Sequence, residues 1–331
     1  MKIREVLEKI AFFFYKVGRM PRQMRTTRKR VKEVPTDLLK QVEIAKKLDG
    51  YIDNLLNGKI EKYIAVAKKP ELVGKKIIWQ YWQQGLDENL PKLVKVCFAS
   101  VEKYRGEYEV IILSKETLND YIEMPDFVWE KFDSGGFTFP KVSNLVRLHL
   151  LSAYGGVWLD AALYMTAPID KRFLKMDFFA LQRSEIPPKD LKIFTKYDPI
   201  GLSWDPESYV RMLNGYMIAK PHHKIIDDLL SIHLEYWKKE EDIGHYFFFQ
   251  IMFYQMVQRD EWKDLNCEIV SYADLHRFCI AGFERFNQRY YDEVTARWNI
   301  HRVPLHWARR KKELIKNSFA DVIVNEKLER P

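Results

Sequence analysis

The stretch that most constrains this chain runs from Ser143 to Thr166, SNLVRLHLLSAYGGVWLDAALYMT. Its first half has the spacing of an apolar helix. Leu145, Leu148 and Leu151, with Val146 and Leu150, fall at steps of three and four, and Arg147 interrupts the apolar surface. Tyr154-Gly155-Gly156 then breaks the helix, because glycine lets a backbone turn where a side chain would clash. A short strand pattern follows, Val157-Trp158-Leu159, and ends on Asp160. A single carboxylate at the end of a buried strand, just past a glycine turn, is where open α/β sheets place their ligand groups.

The flanking sequence supplies the rest of such a sheet. Ile77 to Trp82 is rich in β-formers and reads as a buried strand. A helix opened by Pro91 runs through Val101, Gly106 stops it, and Tyr108 to Leu113 is a second strand. Strand, helix and strand joined by short connections argue for a parallel sheet. Phe178 to Gln182 and Tyr216 to Ala219 add two more strands. Helices are expected over 36–67, from Pro221 to Trp237 and from Tyr246 to Met256. Residues 184–208 hold four prolines and read as an irregular loop, long enough to be functional. The expected fold class is α/β: a mostly parallel, Rossmann-like sheet flanked by helices, with additional helices at both ends of the chain.

With 47% hydrophobic residues the chain has ample core material, so its three scattered cysteines need not form disulfides. Cys97, Cys267 and Cys279 show no C-x-x-C spacing and read as reduced thiols packed as small apolar groups. No apolar run approaches the ~18 residues of a membrane span, and acids interrupt the first residues as they would not in a cleavable signal peptide. The net charge of +8 is localised: residues 1–33 hold eleven Lys or Arg against three Glu, which is the whole excess. Residues 2–18 pattern as an amphipathic helix carrying Phe12-Phe13-Phe14, and a polybasic tract follows. That composition suits a peripheral anchor on an anionic membrane surface, here the inner face of the cell membrane. Packing on a catalytic domain or on a partner is the other reading. A nucleic-acid partner is not expected, since no recognised reader module accompanies the basic run.

Three pieces, in this order and at these separations, carry a resemblance. They are Ile77-Ile78-Trp79-Gln80-Tyr81-Trp82-Gln83-Gln84-Gly85, Ser143-Asn144-Leu145-Val146-Arg147 and Gly155-Gly156-Val157-Trp158-Leu159-Asp160. Together they make the chain resemble the capsular polysaccharide synthesis family of bacterial glycosyltransferases. More distantly it is similar to DXD-containing sugar transferases such as yeast mannosyltransferases and the large clostridial glucosylating toxins. The resemblance spans about residues 75–260. It implies a GT-A domain, placed here at 35–308, between the N-terminal segment 1–34 and a basic helical tail 309–331.

It also implies roles. Asp160 stands at the first Asp of the D-x-D, where relatives contact a metal ion or the donor ribose, and Ala162 replaces the second Asp. Relatives read Ser-Asp-x-x-Arg on the preceding helix. Here Arg147 is kept, to offset diphosphate charge, and Asn144 replaces the Asp, to hydrogen-bond the sugar. Trp79, Gln80 and Trp82 on the first strand, with Ser143, Gly156 and Arg183, are the candidate contacts to the nucleotide donor. Mn²⁺ or Mg²⁺ is the implied cofactor, with Asp160 and His306 as candidate ligands. His301, His245 and Asp242 are further candidates for a ligand, an acceptor contact and a catalytic carboxylate. The implied activity moves a hexose, with retention, from a nucleoside diphosphate sugar, expected to be UDP-linked, to a surface glycan or lipid-linked glycan acceptor. The alternative is a non-catalytic subunit of a synthesis complex that binds nucleotide or glycan. That alternative stays open because two carboxylates of the usual cluster are missing.

Overall fold

The computed structural model describes residues 33–305, 307 and 315–326. The amphipathic and polybasic pattern of 1–32, His306, and residues 309–314 and 327–331 of the tail therefore lie outside the described residues.

The chain begins with helix α1, 33–56. Next come β1 (Ile77–Tyr81), α2 (Lys92–Tyr104), β2 (Glu109–Leu113) and two short helices, α3 (Lys115–Leu118) and α4 (Asp126–Asp133). Helix α5 (Phe139–Tyr154) leads through the glycine turn into β3 (Gly156–Leu159). A small strand β4 (Leu163–Met165) precedes β5 (Phe178–Gln182), α6 (Leu191–Tyr197) and β6 (Met212–Ala219). Helices α7 (Lys224–Lys239) and α8 (Phe248–Val257) follow, then α9 (Asp260–Lys263), α10 (Arg277–Ala281), α11 (Gln288–Arg297) and β7 (Ile300–Arg302).

The central sheet has strand order β2-β1-β3-β6-β5. β1 is parallel to both β2 and β3, whereas β6 runs antiparallel to both β3 and β5. Four of the five strands thus point the same way, and β6 alone runs against them. β4 and β7 form a separate two-stranded antiparallel sheet.

Both faces of the main sheet are buried, which is why its strands are near-continuous apolar runs. Odd and even residues divide between two cores. Ile77, Trp79 and Tyr81 of β1, Trp158 of β3 and Met217 of β6 pack with α5, α7 and α8. Ile78, Val157, Leu159, Tyr216 and Ile218 face the other way, toward β4, Phe194 of α6 and Tyr272. Helix α1 is held over the α7–α8 side: Tyr51 donates to Glu240 at 2.8 Å, Arg259 donates to Asp49 at 3.0 Å, and Lys47 pairs with Glu240.

The glycine turn has a double steric cause. Gly155 and Gly156 have φ of 70° and 95°, a region that L side chains avoid. A Cβ on Gly156 would also stand 2.6 Å from the Ile77 carbonyl, and one on Gly155 2.6 Å from Pro221. The helix can therefore pass into the middle of the sheet only through two glycines. The Trp79 indole donates to the Gly155 carbonyl at 2.8 Å and holds the turn from β1.

Candidate functional site

The carboxyl ends of β1, β3 and β5 and the start of β6 share one edge, and Asp160 sits there immediately after β3. Its backbone N–H donates to the Gly215 carbonyl on β6 at 2.8 Å. Gly215 also makes room for the carboxylate, since a Cβ there would lie 2.8 Å from Asp160 Oδ2.

Helix α5 brings Asn144 and Arg147, one turn apart, over this edge. Arg147 donates through Nη2 to Asp160 Oδ1 and through Nη1 to Asn144 Oδ1, both at 2.7 Å. The Trp158 indole donates to the same Asp160 oxygen at 2.7 Å. Behind them, Asn214 Nδ2 donates to Asn144 Oδ1 at 2.9 Å, and Gln250 Nε2 of α8 donates to Asn214 Oδ1 at 3.1 Å. The chain Gln250–Asn214–Asn144–Arg147–Asp160 ties together α8, β6, α5 and the residue after β3. The Arg147 side chain is 3% exposed and that of Asp160 is 32% exposed. The guanidinium is thus a recessed cation and the carboxylate reaches solvent. Burial lowers Arg147 from its ordinary pKa and Asp160 opposes that shift. The ring of Trp158 lies 4.9 Å from the guanidinium carbon, a cation–π contact that also favours the charged form.

A second group of polar atoms lines the end of β1. Both amide atoms of Gln80, both of Gln83 and the Tyr81 hydroxyl are buried without a hydrogen-bond partner. Arg147 Nε is in the same condition. Leaving a buried donor or acceptor unpaired costs about 1–3 kcal/mol each, so this concentration at one sheet edge marks groups kept for a ligand or for water.

The remaining sequence candidates have varied positions. Ser143 precedes Asn144 on the half-buried approach to the site. Trp82 packs with Ala161, Val94 and Phe98 just beyond β1. Trp79 is buried, and its indole points to the far end of β3, where Gly156 also lies. Arg183 stands at the end of β5, but its guanidinium donates to the carbonyls of Ser203 and Asp205 at 2.9 and 3.0 Å, holding the loop before β6. His245 Nδ1 accepts from the Phe247 N–H at 3.0 Å, and its Nε2 lies 3.2 Å from Asp37 Oδ2 of α1. Asp242 accepts from the Gly244 N–H at 2.5 Å. His301 is fully buried against Phe278, its Nε2 is 3.1 Å from the Thr166 hydroxyl, and burial pushes its pKa down to about 3.

The described residues do not build a cage for Mn²⁺ or Mg²⁺. Among them, no group of three or more His, Cys, Asp or Glu is placed to hold a metal ion. Asp160 Oδ1 already accepts from Arg147 and Trp158, which leaves Oδ2, whereas Mg²⁺ seeks about six oxygen ligands.

Sequence reasoning reached Asn144, Arg147 and Asp160 but missed Asn214, Gly215 and Gln250. A signal existed in each case. Asn214-Gly215 interrupts an apolar strand, and Gln250 is a lone polar residue within Phe248-Phe249-Gln250-Ile251-Met252-Phe253.

A recessed guanidinium, a solvent-facing carboxylate and unpartnered amides lie together at the carboxyl edge of a mostly parallel sheet in an α/β protein. The chain belongs to the capsular polysaccharide synthesis protein family, whose model matches residues 29–323. It is similar to O-glycosyltransferase braB of Annulohypoxylon truncatum, 25% identical over 172 residues that cover 49% of this chain and 38% of that protein. It is likewise similar to glycosyltransferase afumC of Aspergillus fumigatus, 24% identical over 160 residues that cover 46% of this chain and 40% of that one. The aligned region thus spans well under half the length of either relative. Among solved structures, PaToxG glycosyltransferase is similar at 12% identity and a TM-score of 0.35, over 70% of this chain and 82% of that one.

Proposed function

We propose that the protein is a glycosyltransferase of GT-A type that takes a hexose from a nucleoside diphosphate sugar, with UDP as the nucleotide, and delivers it to a glycan or lipid-linked glycan acceptor. The observation that carries this reading is the Asn144–Arg147–Asp160 cluster beside the unpartnered amides of Gln80 and Gln83. The cluster supplies a fixed cation and a fixed carboxylate, and the amides offer donors and acceptors to a base or sugar. Family membership and two glycosyltransferase relatives support it.

In the reaction, the bond between the anomeric carbon and the diphosphate oxygen breaks while the acceptor hydroxyl oxygen bonds to that carbon. The acceptor proton passes to the departing diphosphate. Arg147 meets the charge that develops on the leaving group, and being held in place beforehand it needs little reorganisation to do so. Asn144, whose Oδ1 is already engaged, has its Nδ2 available to donate to the sugar. Asp160 holds Arg147 in position and offers Oδ2 to a ribose or sugar hydroxyl. With the diphosphate as base on the face it leaves, the anomeric configuration is retained. No step here is assigned to a metal ion.

A second reading, a binding-only subunit, draws on the absence of carboxylates at Asn144 and Ala162. A panel of sugar nucleotides tests both. Thermal stabilisation by one of them is expected, because binding to the folded state raises apparent stability by mass action. Stabilisation by none would refute the donor reading, and stabilisation without turnover toward any acceptor or water would favour the second. We further propose that residues 1–33, with their basic excess, dock on anionic lipid. Among the described residues no helix is long and apolar enough to cross a membrane. Sedimentation with phosphatidylserine vesicles should be lost when Arg28, Lys29, Arg30 and Lys32 are changed to Gln; undiminished sedimentation would contradict the docking.

A further inference from the structure

β7 lays Arg302 against the turn that follows Asp160. Leu163 and Arg302 are register partners, the Val303 N–H donates to the Ala162 carbonyl at 3.0 Å, and the Leu163 N–H donates to the Asp160 carbonyl at 2.9 Å. The half-buried Arg302 side chain lies within electrostatic reach of Asp160, Tyr197, Tyr246 and Cys279, and it acts in turn on His276. Asp160, the carboxylate that acts on it most strongly, is already paired with Arg147.

The use made of the other withdrawn arginines sets Arg302 apart. Arg147 is taken by Asp160 and Asn144, Arg183 by two loop carbonyls, and Arg277 by Asp190 and Asp274. Among the described residues the Arg302 guanidinium has neither an ion-pair partner within salt-bridge distance nor a hydrogen-bond acceptor; the residue's carbonyl accepts from the Cys279 thiol. A guanidinium taken partly out of water without a partner is costly unless an anion completes it. Arg147 and Arg302 thus both act on Asp160, two cations on the same carboxylate. A planar fork of N–H donors matches the oxygens of a phosphate.

We propose that Arg302 is a phosphate-binding residue of the donor site. With Arg147 it supplies to the diphosphate the positive charge that the described carboxylates and histidines do not supply through a metal ion. This rests on the nucleoside diphosphate sugar reading above, and it adds a second, basic contact from a strand at the far end of the sequence. Asp160 then has a positional role between two guanidiniums, which accounts for a lone carboxylate sufficing where Ala162 offers none.

Calorimetry on the full chain in EDTA tests the assignment, with UDP, GDP, CDP and ADP each compared with its own nucleoside. The wild type is expected to bind one diphosphate more tightly than its nucleoside. Arg302→Gln should lose roughly 10- to 100-fold of the diphosphate affinity, the usual weight of hydrogen bonds to a charged group, while nucleoside affinity stays unchanged. Arg302→Lys keeps the charge without the fork and should fall between the two. Where Arg302→Gln does not fold, the Lys variant decides: a reduced diphosphate-to-nucleoside ratio supports the assignment and a wild-type ratio overturns it. A wild-type ratio in folded Arg302→Gln, or diphosphate binding that EDTA abolishes, overturns the Arg302 assignment and leaves the donor reading standing. Failure of the wild type to bind any of the eight compounds, with Mn²⁺ supplied as well as in EDTA, overturns the donor reading, and this assignment with it.

Discussion

Removing Asp160 tests whether the site is an electrostatic unit. Asp160 Oδ1 accepts from Arg147 Nη2 and Trp158 Nε1, both at 2.7 Å, and the Arg147 side chain is 3% exposed. Stripping a buried charge of its partner costs about 3–5 kcal/mol. With 32% of the Asp160 side chain exposed, truncation admits water to the guanidinium, so the lower end applies. Asp160→Ala is therefore expected to cost about 3 kcal/mol. At ~2.1 cal/mol/K per residue of unfolding entropy over ~290 residues, that corresponds to a Tm about 5 °C lower. Arg147→Met should cost less, about 1–2 kcal/mol, because the carboxylate left behind reaches solvent and keeps Trp158. The double variant should resemble Arg147→Met alone, giving a coupling of about 3 kcal/mol in a double-mutant cycle. Urea unfolding at neutral pH measures all four proteins. Single-variant effects that add to within ~0.5 kcal/mol would refute the pairing.

Three further outcomes follow from the same geometry. Gln80→Leu replaces two unpartnered amide atoms with apolar surface, so it should raise stability by about 1–3 kcal/mol while weakening nucleotide binding; a destabilised variant with normal binding would contradict the idle-amide reading. Gly215→Ala places a Cβ 2.8 Å from Asp160 Oδ2, so turnover should fall well beyond any change in Tm, and unchanged turnover would show that the carboxylate orientation is unimportant. His149 and His233 are depressed by burial to about 4, and His276 and His301 to about 3. Each imidazole binds its proton more weakly in the folded chain than in the unfolded one. Their contribution is therefore complete above the unfolded value of about 6.5 and is lost as pH falls toward 4 and then 3. The slope should reach about 1.4 kcal/mol per pH unit for each histidine. The urea midpoint should drop steeply between pH 6 and pH 4, and a flat profile there would contradict the burial of these rings.

Much of the site was legible because its constraints are local. Gly155-Gly156 is required by backbone geometry and close packing at one turn, and Arg147 and Asp160 sit on the two elements that this turn joins. The strand Ile77–Tyr81 was equally plain from composition. Other features depended on distant pairing. β4 and β7 are three residues each and exist as strands only through each other, across more than 130 positions of sequence. Period alone could not reveal which residues of a doubly buried strand face which core, so the inward placement of Trp79 and the edge placement of Gln80 needed the structure. The loop expected over 184–208 contains α6, because Phe194 finds the core beneath β5 and β6. The strand expected from Tyr216 begins four residues earlier, at Met212, and so brings Asn214 and Gly215 to Asp160.

The most direct test of the donor site is turnover of a sugar nucleotide by the wild type beside Arg147→Ala and Asp160→Ala, each first shown to be folded. Hydrolysis or transfer of UDP-hexose by the wild type is predicted, with a loss of roughly 100-fold or more in both variants, the usual consequence of removing one preorganised charge from a leaving-group site. Wild-type turnover in both variants would contradict the account.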